Sequence, residues 1–256
     1  MSRVNCAAVI LRTKIYGESD IIVDLFTQSE GRVSVIARGA LRSKKRYAGV
    51  LEIGSRVKVD YLPKLGLATL GPCDILSSVW KARSSLLRLA YLYHILEVVR
   101  LATPEGEADL WIFEELCTLL DLLESEEEPD FERFVQWDLQ LLQHLGYGLR
   151  IDRCPYTGLP PDGLSLKAGG ALSSASGRSL YSVNTSCLRI LYKLNKGQLS
   201  TPIKVVDRRS VREALAGLWT ELTGVSLRAF PFMLTALSTP RNYNDLTTDQ
   251  IQEERL

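Results

Sequence analysis

Through its first eighty residues the chain alternates. In RVKVDYL (56–62), Val57, Val59 and Tyr61 fall on one side and Arg56, Lys58 and Asp60 on the other, the period of a half-buried strand. Apolar runs from Cys6 to Leu11, from Ile21 to Phe26 and through Val33, Val35 and Ile36 predict three more strands. Gly31, in the SEGR turn before the last of these, is free to take a positive φ. A weaker fifth strand is expected from Leu67 to Leu76, interrupted at Gly71-Pro72. Five short strands without a helical period predict a small closed barrel. The OB-fold has that size and strand count, and an SH3-like barrel reads much the same.

From Trp80 the period lengthens. Leu86, Leu89, Tyr93, Leu96 and Val99 or Arg100 recur at three- and four-residue steps and predict a helix that stops near Thr103-Pro104. A second carries Leu110, Phe113, Leu116 or Cys117, Leu120 and Leu123 on one stripe; a third runs through FERFVQWDLQLLQHLG and ends at Gly146. Residues 147–182 are rich in Gly, Pro and Ser and read as loop. A helix is expected from Cys187 to Leu194. Another is expected to begin at Ser210, where S-V-R-E has the capping-box form, and to end near Gly224. Residues 239–256 are polar and read as a frayed end. The expected architecture is α+β: a barrel over 1–79 and a helical domain over 80–256, with 147–182 inserted in it.

Charge changes this picture. The 256 residues have a net charge of +1, but residues 1–80 hold 12 Lys and Arg against 7 Asp and Glu, residues 81–150 hold 6 against 14, and residues 151–256 hold 13 against 9. A basic front and an acidic middle point to different partners. No run of about twenty uncharged apolar residues is present, and CAAVIL (6–11) falls short of a signal-peptide core. The expectation is a cytoplasmic protein with no membrane partner. Five widely spaced cysteines form neither a disulfide framework nor a metal knuckle.

Signatures of catalysis are missing. His94 and His144 sit inside helical patterns without H-E-x-x-H or H-x-E spacing, and no G-x-x-x-x-G-K-[ST] loop occurs. The chain is expected not to be an enzyme and to need no cofactor. The remaining chemistry is electrostatic. Arg38, Arg42, Lys44, Lys45 and Arg46 fall within nine positions, and Arg12, Lys14, Arg32 and Lys58 flank them on neighbouring strands. Such a surface attracts phosphates by counterion release, although a solvated basic loop has the same composition. Tyr47 beside this cluster, and Tyr16 nearby, are candidate platforms for base stacking. Tyr47 also reads as a lid on the barrel, the reading slightly preferred, and Tyr61 lies on the apolar face of its strand.

The segment AAVILRTKIYGESDIIVDLFTQSEGRVSVIARGALRSKKRYAGVLEIG (7–54) resembles the RecO family of bacterial DNA repair proteins. The resemblance rests on the order and spacing of Tyr16-Gly17-Glu18-Ser19-Asp20, Gly31-Arg32 and Ala37-Arg38-Gly39. The helical middle, ending at HLGY before IDRC, is similar in layout. The resemblance implies an N-terminal OB-fold, a helical body with a zinc-finger-like insertion, and a recombination mediator at the bacterial nucleoid. Its implied partners are single- and double-stranded DNA, RecR, the acidic tail of single-strand binding protein and, indirectly, RecA. The basic residues above, Arg12, Lys14, Arg32, Arg38, Arg42, Lys44, Lys45, Arg46 and Lys58, are then phosphate contacts. Many family members carry four zinc-binding cysteines in the insertion. Here Cys154 remains, while Thr157, Ser173 and Ser176 stand at the other three positions. Neutral hydroxyls are poor zinc ligands, so no metal is expected. Two other readings stay open: an adaptor for acidic tails, using the basic front or Arg208, Arg209 and Arg212, and an RNA-binding OB module.

Overall fold

Pairing follows the alternation. In a computed structural model that describes residues 2–43, 46–47, 49–64, 66–125, 127–198 and 203–238, five strands close a barrel. They are β1 (Val4–Tyr16), β2 (Asp20–Thr27), β3 (Gly31–Ala37), β4 (Arg56–Leu62) and β5 (Ala68–Ser77). The order is β1-β2-β3-β5-β4, with β1 returning to pair with β4. All neighbours are antiparallel except β3 and β5, where Val35 faces Ala68 and Ile36 faces Thr69. This is the OB-fold, which resolves the choice that periodicity left open. Gly71 and Pro72 do not interrupt β5; they lie where its register against β4 shifts, a place where a strand tolerates both residues.

Ala8, Ile10, Val23, Leu25, Val35, Val57, Val59, Tyr61 and Leu70 fill the barrel. Its lower outer face is buried as well: Val9, Leu11 and Phe26 belong to the core of the helical body. β1 changes parity to serve both sides. Its register against β2 jumps between Ile10, opposite Leu25, and Arg12, opposite Asp24. Leu11 is the extra residue of a β-bulge. In a regular strand Arg12 would have the inward parity of Ala8 and Ile10; the bulge puts Arg12, Lys14 and Tyr16 on the outer side.

The body is built on α1 (Leu86–Ala102), α2 (Leu110–Glu124), α3 (Phe131–His144), α4 (Thr185–Asn195), α5 (Val205–Thr223) and α6 (Ala229–Ser238). Asp109, Asp130 and Asn184 cap α2, α3 and α4 by accepting backbone N–H bonds, offsetting the orphan donors of a first turn.

Several expectations need correction. α1 begins at Leu86 after a separate turn of 3-10 helix over Lys81–Ser84. The expected stripe of α1 is buried at Leu96 and Val99 but exposed at Leu86 and Tyr93, while Leu87, Tyr91, Ile95 and Val98 on another side are buried as well. The helix packs against α2, α5, α6 and the barrel, so apolar residues surround it and the period selected one of two stripes. The S-V-R-E sequence does not start a helix. α5 begins five residues earlier, at Val205, because nothing in VVDRR breaks a helix; Ser210 Oγ instead accepts from Asn184 and Glu213 accepts from Arg209. The 147–182 segment is not only loop: β6 (Gly163–Ser165), β7 (Gly170–Leu172) and β8 (Tyr181–Ser182) form a small antiparallel sheet in the order β7-β6-β8. α6 has no counterpart in the sequence expectations, and residues 239–256 lie outside the described residues.

Candidate nucleic-acid interface

The end of the barrel is organised by one carboxylate. Asp20, where β2 begins, accepts from the backbone N–H of Gly39 at 2.8 Å and from Ser19 Oγ at 3.0 Å. Gly39 reaches it with φ of 68°, a left-handed conformation open to glycine at little cost. Leu41 N donates to Ser19 O at 2.9 Å. The Gly17–Ser19 turn and the 38–42 segment are therefore one hydrogen-bonded unit. The Gly39 N–H, then Ser19, hold the Asp20 carboxyl below its usual pKa, and Arg38 and Arg42 add to this. The carboxylate stays ionised and keeps the turn in place.

This unit presents Lys14, Arg38 and Arg42 to solvent, beside a Tyr16 ring that is 53% exposed. Arg42 meets Glu18 at 3.7 Å with both side chains well exposed, a pair of little energetic weight. The loop between β4 and β5 carries Lys64, also exposed, which the sequence reading passed over because it stands outside every cluster. β3 and β5 run parallel with Val35 opposite Ala68, so this loop lies toward the Arg32–Ser34 end of β3 and not the Gly39 end; the OB-fold binds along its strand 2–3 face and adjoining loops.

The other candidates are placed differently. Lys44 and Lys45 lie outside the described residues. Arg46 is exposed, but its guanidinium donates to Leu70 O and covers the Tyr47 ring at 4.9 Å. Tyr47 is 4% exposed within the barrel core, with its hydroxyl donating to Leu70 O at 3.0 Å. It is the barrel's lid, which leaves no open ring face for a base and corrects the stacking role. Lys58 sits on β4, opposite Ala7 and Asp74, on the strand beside β1 but level with Ala7, nine residues along β1 from Tyr16. Arg12 pairs with the buried Asp24 at 2.8 Å. Arg32 turns toward the helical body, donating to Thr103 O and Glu105 Oε1, each at 3.0 Å.

Between β1 and the body lies a cleft of about 470 Å³. Arg12, Arg100 and Arg228 line it with the apolar faces of Tyr93, Leu96 and Phe232. Its one carboxylate is committed, since Glu97 accepts the backbone N–H groups of Arg228 and Ala229 and so caps α6. Burial, then the nearby charge of Arg12, depresses the pKa of Arg100. Arg208, Arg209 and Arg212 do not form a matching surface. Arg212 is buried, donating to Asp138 Oδ2 at 2.6 Å, and Arg209 pairs with Glu213.

In the insertion, Cys154 is buried and bonded to its neighbours. Burial opposes ionisation, but the Thr157 hydroxyl and the backbone N–H groups of Ser173, Tyr156 and Thr157 outweigh it and bring the thiol down to about 7. The Cys154, Thr157 and Ser173 positions thus meet, and Ser176 follows in the turn that Ser173 caps. One thiolate among three hydroxyls is not a zinc donor set. Among the described residues no three His, Cys, Asp or Glu side chains group to hold a metal, and no helix is long and apolar enough to cross a membrane.

The fold and the barrel end define a class: an OB-fold module locked onto a helical body. Comparison with known proteins makes it particular. Residues 1–79 match the family model "Recombination protein O N terminal", and residues 83–224 match "Recombination protein O C terminal". The chain is 32% identical to DNA repair protein RecO of Geobacter sulfurreducens over 198 residues, 75% of this chain and 81% of that one. Its identity to DNA repair protein RecO of Myxococcus xanthus is 29% over 240 residues, 91% of this chain and 98% of that one. The chain belongs to the RecO family of bacterial DNA repair proteins.

Proposed function

We propose that this chain binds single- and double-stranded DNA at the barrel end, anneals complementary strands and, with RecR, helps load RecA onto DNA covered by single-strand binding protein. The observation that carries this is the Asp20-organised unit, where Lys14, Arg38 and Arg42 are exposed with Tyr16 at the end of an OB-fold barrel. Cations there neutralise phosphates on two strands and lower their repulsion, so complementary bases can meet; such contacts position strands and carry little sequence information. Family membership supports this reading of the pathway, with the cytoplasm at the nucleoid as its compartment. A salt titration of binding to single- and double-stranded DNA, with annealing followed in parallel, is the test. Salt-independent binding would remove the electrostatic mechanism, and preference for RNA would favour an RNA-binding module.

A second role rests on the interdomain cleft. Three arginines around an apolar floor of Tyr93, Leu96 and Phe232 suit an acidic peptide with an apolar end, the chemistry of the tail of single-strand binding protein. Titration with that peptide alone tests it; Arg100→Glu should abolish the binding and spare DNA affinity.

A further inference from the structure

A groove of about 710 Å³ runs between the small sheet of the insertion and α5. Two exposed tyrosines line it, Tyr156 and Tyr181. Tyr181 is held in an unusual way. A Cβ placed on Gly217, inside α5, would meet three atoms of the Tyr181 ring at 3.2, 3.2 and 3.4 Å. Near-equal distances mean that the ring lies face-on over the glycine. Glycine within a helix costs about 1 kcal/mol relative to alanine, and here it lets a tyrosine lie against the helix backbone. Tyr181 nevertheless remains 43% exposed.

The second tyrosine is paired with a cation: the Arg178 guanidinium stands 3.9 Å from the Tyr156 ring centroid. Lys167 adds another positive charge. The acids nearby are already engaged. Glu221 accepts from Ser165 Oγ and from the backbone N–H groups of Leu166 and Lys167, and Glu213 is paired with Arg209 at 2.9 Å. Ring faces next to cations are what sequence-tolerant single-strand binding uses.

We infer that this groove is a second single-stranded DNA site, with Tyr181 as a base platform and Arg178 and Lys167 on the phosphates. The inference rests on the DNA-binding reading above and adds a place for another strand: one lies at the barrel end and its complement crosses the insertion. The rings account for an aromatic surface that a structural insertion does not need.

The test uses the full-length chain and a single-stranded oligonucleotide carrying 5-iodouracil. Photo-crosslinks in the wild type should map to Tyr156 or Tyr181 as well as to the barrel end. Y156A/Y181A should slow annealing by about tenfold or more, the scale of one lost stack, with the circular dichroism spectrum unchanged. Arg178→Glu, which leaves the Tyr181–Gly217 contact alone, should slow annealing too and guards against misfolding of the double variant. Normal annealing in both variants, with crosslinks confined to the barrel end, overturns this inference and leaves the proposed function standing. A wild-type chain that binds no DNA overturns both.

Discussion

Arg32 donates from Nε to the carbonyl oxygen of Thr103, at 3.0 Å, across the boundary between barrel and helical body. Its other contacts run the same way. Nη1 reaches Glu105, and Gly106 N donates back to Arg32 O. By charge and sequence neighbourhood Arg32 resembles a phosphate ligand; by geometry it is a latch.

Replacing Arg32 by Ala should therefore cost stability rather than DNA affinity. A hydrogen bond from a charged group contributes about 1.5–3 kcal/mol. A shift of that size in the urea midpoint is expected, with the salt slope of DNA binding unchanged. A fall in the slope by about 0.7, one phosphate's worth on single strands, would return Arg32 to the DNA surface.

Gly31 makes the latch possible. A Cβ there would stand 1.8 Å from Glu107 O, and φ is 64°. Gly31→Ala should destabilise the chain by about 3 kcal/mol or more, combining backbone strain with the separation of two modules. Thermal melting measures this directly. Gly17→Ala, whose added Cβ meets nothing within 4 Å, should cost clearly less.

At the barrel end, K14A/R38A/R42A should lower the salt slope of single-strand binding by about 2, at about 0.7 per phosphate. Melting temperature should hold, because all three side chains are exposed. An unchanged slope would place the DNA elsewhere.

Inside the body, Asp138 accepts from Arg212 at 2.6 Å and Trp219 at 2.8 Å, and lies 2.9 Å from His94. Arg212 Nε and Nη2 have no hydrogen-bond partner, and the guanidinium lies 5.3 and 5.1 Å from the Tyr91 and Phe131 ring centres. Burial works against the Asp138 charge, but His94 and Arg212 more than offset it and lower its pKa. A carboxyl whose folded pKa lies below its unfolded value stabilises the fold above that unfolded value, near pH 4, and loses the contribution as pH falls through the folded one. Asp138→Asn strands the arginine and should cost about 3–5 kcal/mol at neutral pH. Relative to wild type the variant should show a flatter loss of stability in acid, measured by denaturant titration from pH 6 to pH 3.

Cys154 gives a metal prediction. A chelator should leave the melting temperature unchanged, and metal analysis should find well under one zinc per chain. Thiolate absorbance lost in Cys154→Ala should titrate near pH 7, where the hydrogen bonds from Thr157 and Ser173 bring the group. One tightly held zinc per chain would overturn the donor-set argument.

The barrel was legible because its strands are half-buried, and half-burial writes a period of two into RVKVDYL. The helical body was legible only in outline. α1 is apolar on several sides, so its period does not say which side meets the core. α6, AFPFMLTALS, carries Pro231 within its first turn and lacks a clear stripe. For the candidate site, the Tyr16–Asp20 and Ala37–Gly39 motifs stood out separately. The bond from Gly39 N to Asp20 that unites them joins residues nineteen apart, and composition does not encode it. Charge identified Lys14, Arg38 and Arg42 but equally picked Arg12, which pairs with the buried Asp24 and faces the cleft, and Arg32, which latches onto the helical body.

The contact of Gly31 with the 107 backbone has a mechanical meaning. Two modules joined by a flexible linker would search for each other's ligands, at a local concentration set by linker length. Here the barrel shares Val9, Leu11 and Phe26 with the body's core and touches it backbone to backbone. A strand at the barrel end and a peptide in the cleft would be held a fixed number of ångströms apart, like stations on one jig. Hand-over between them then becomes a matter of reach along the DNA rather than of hinge motion.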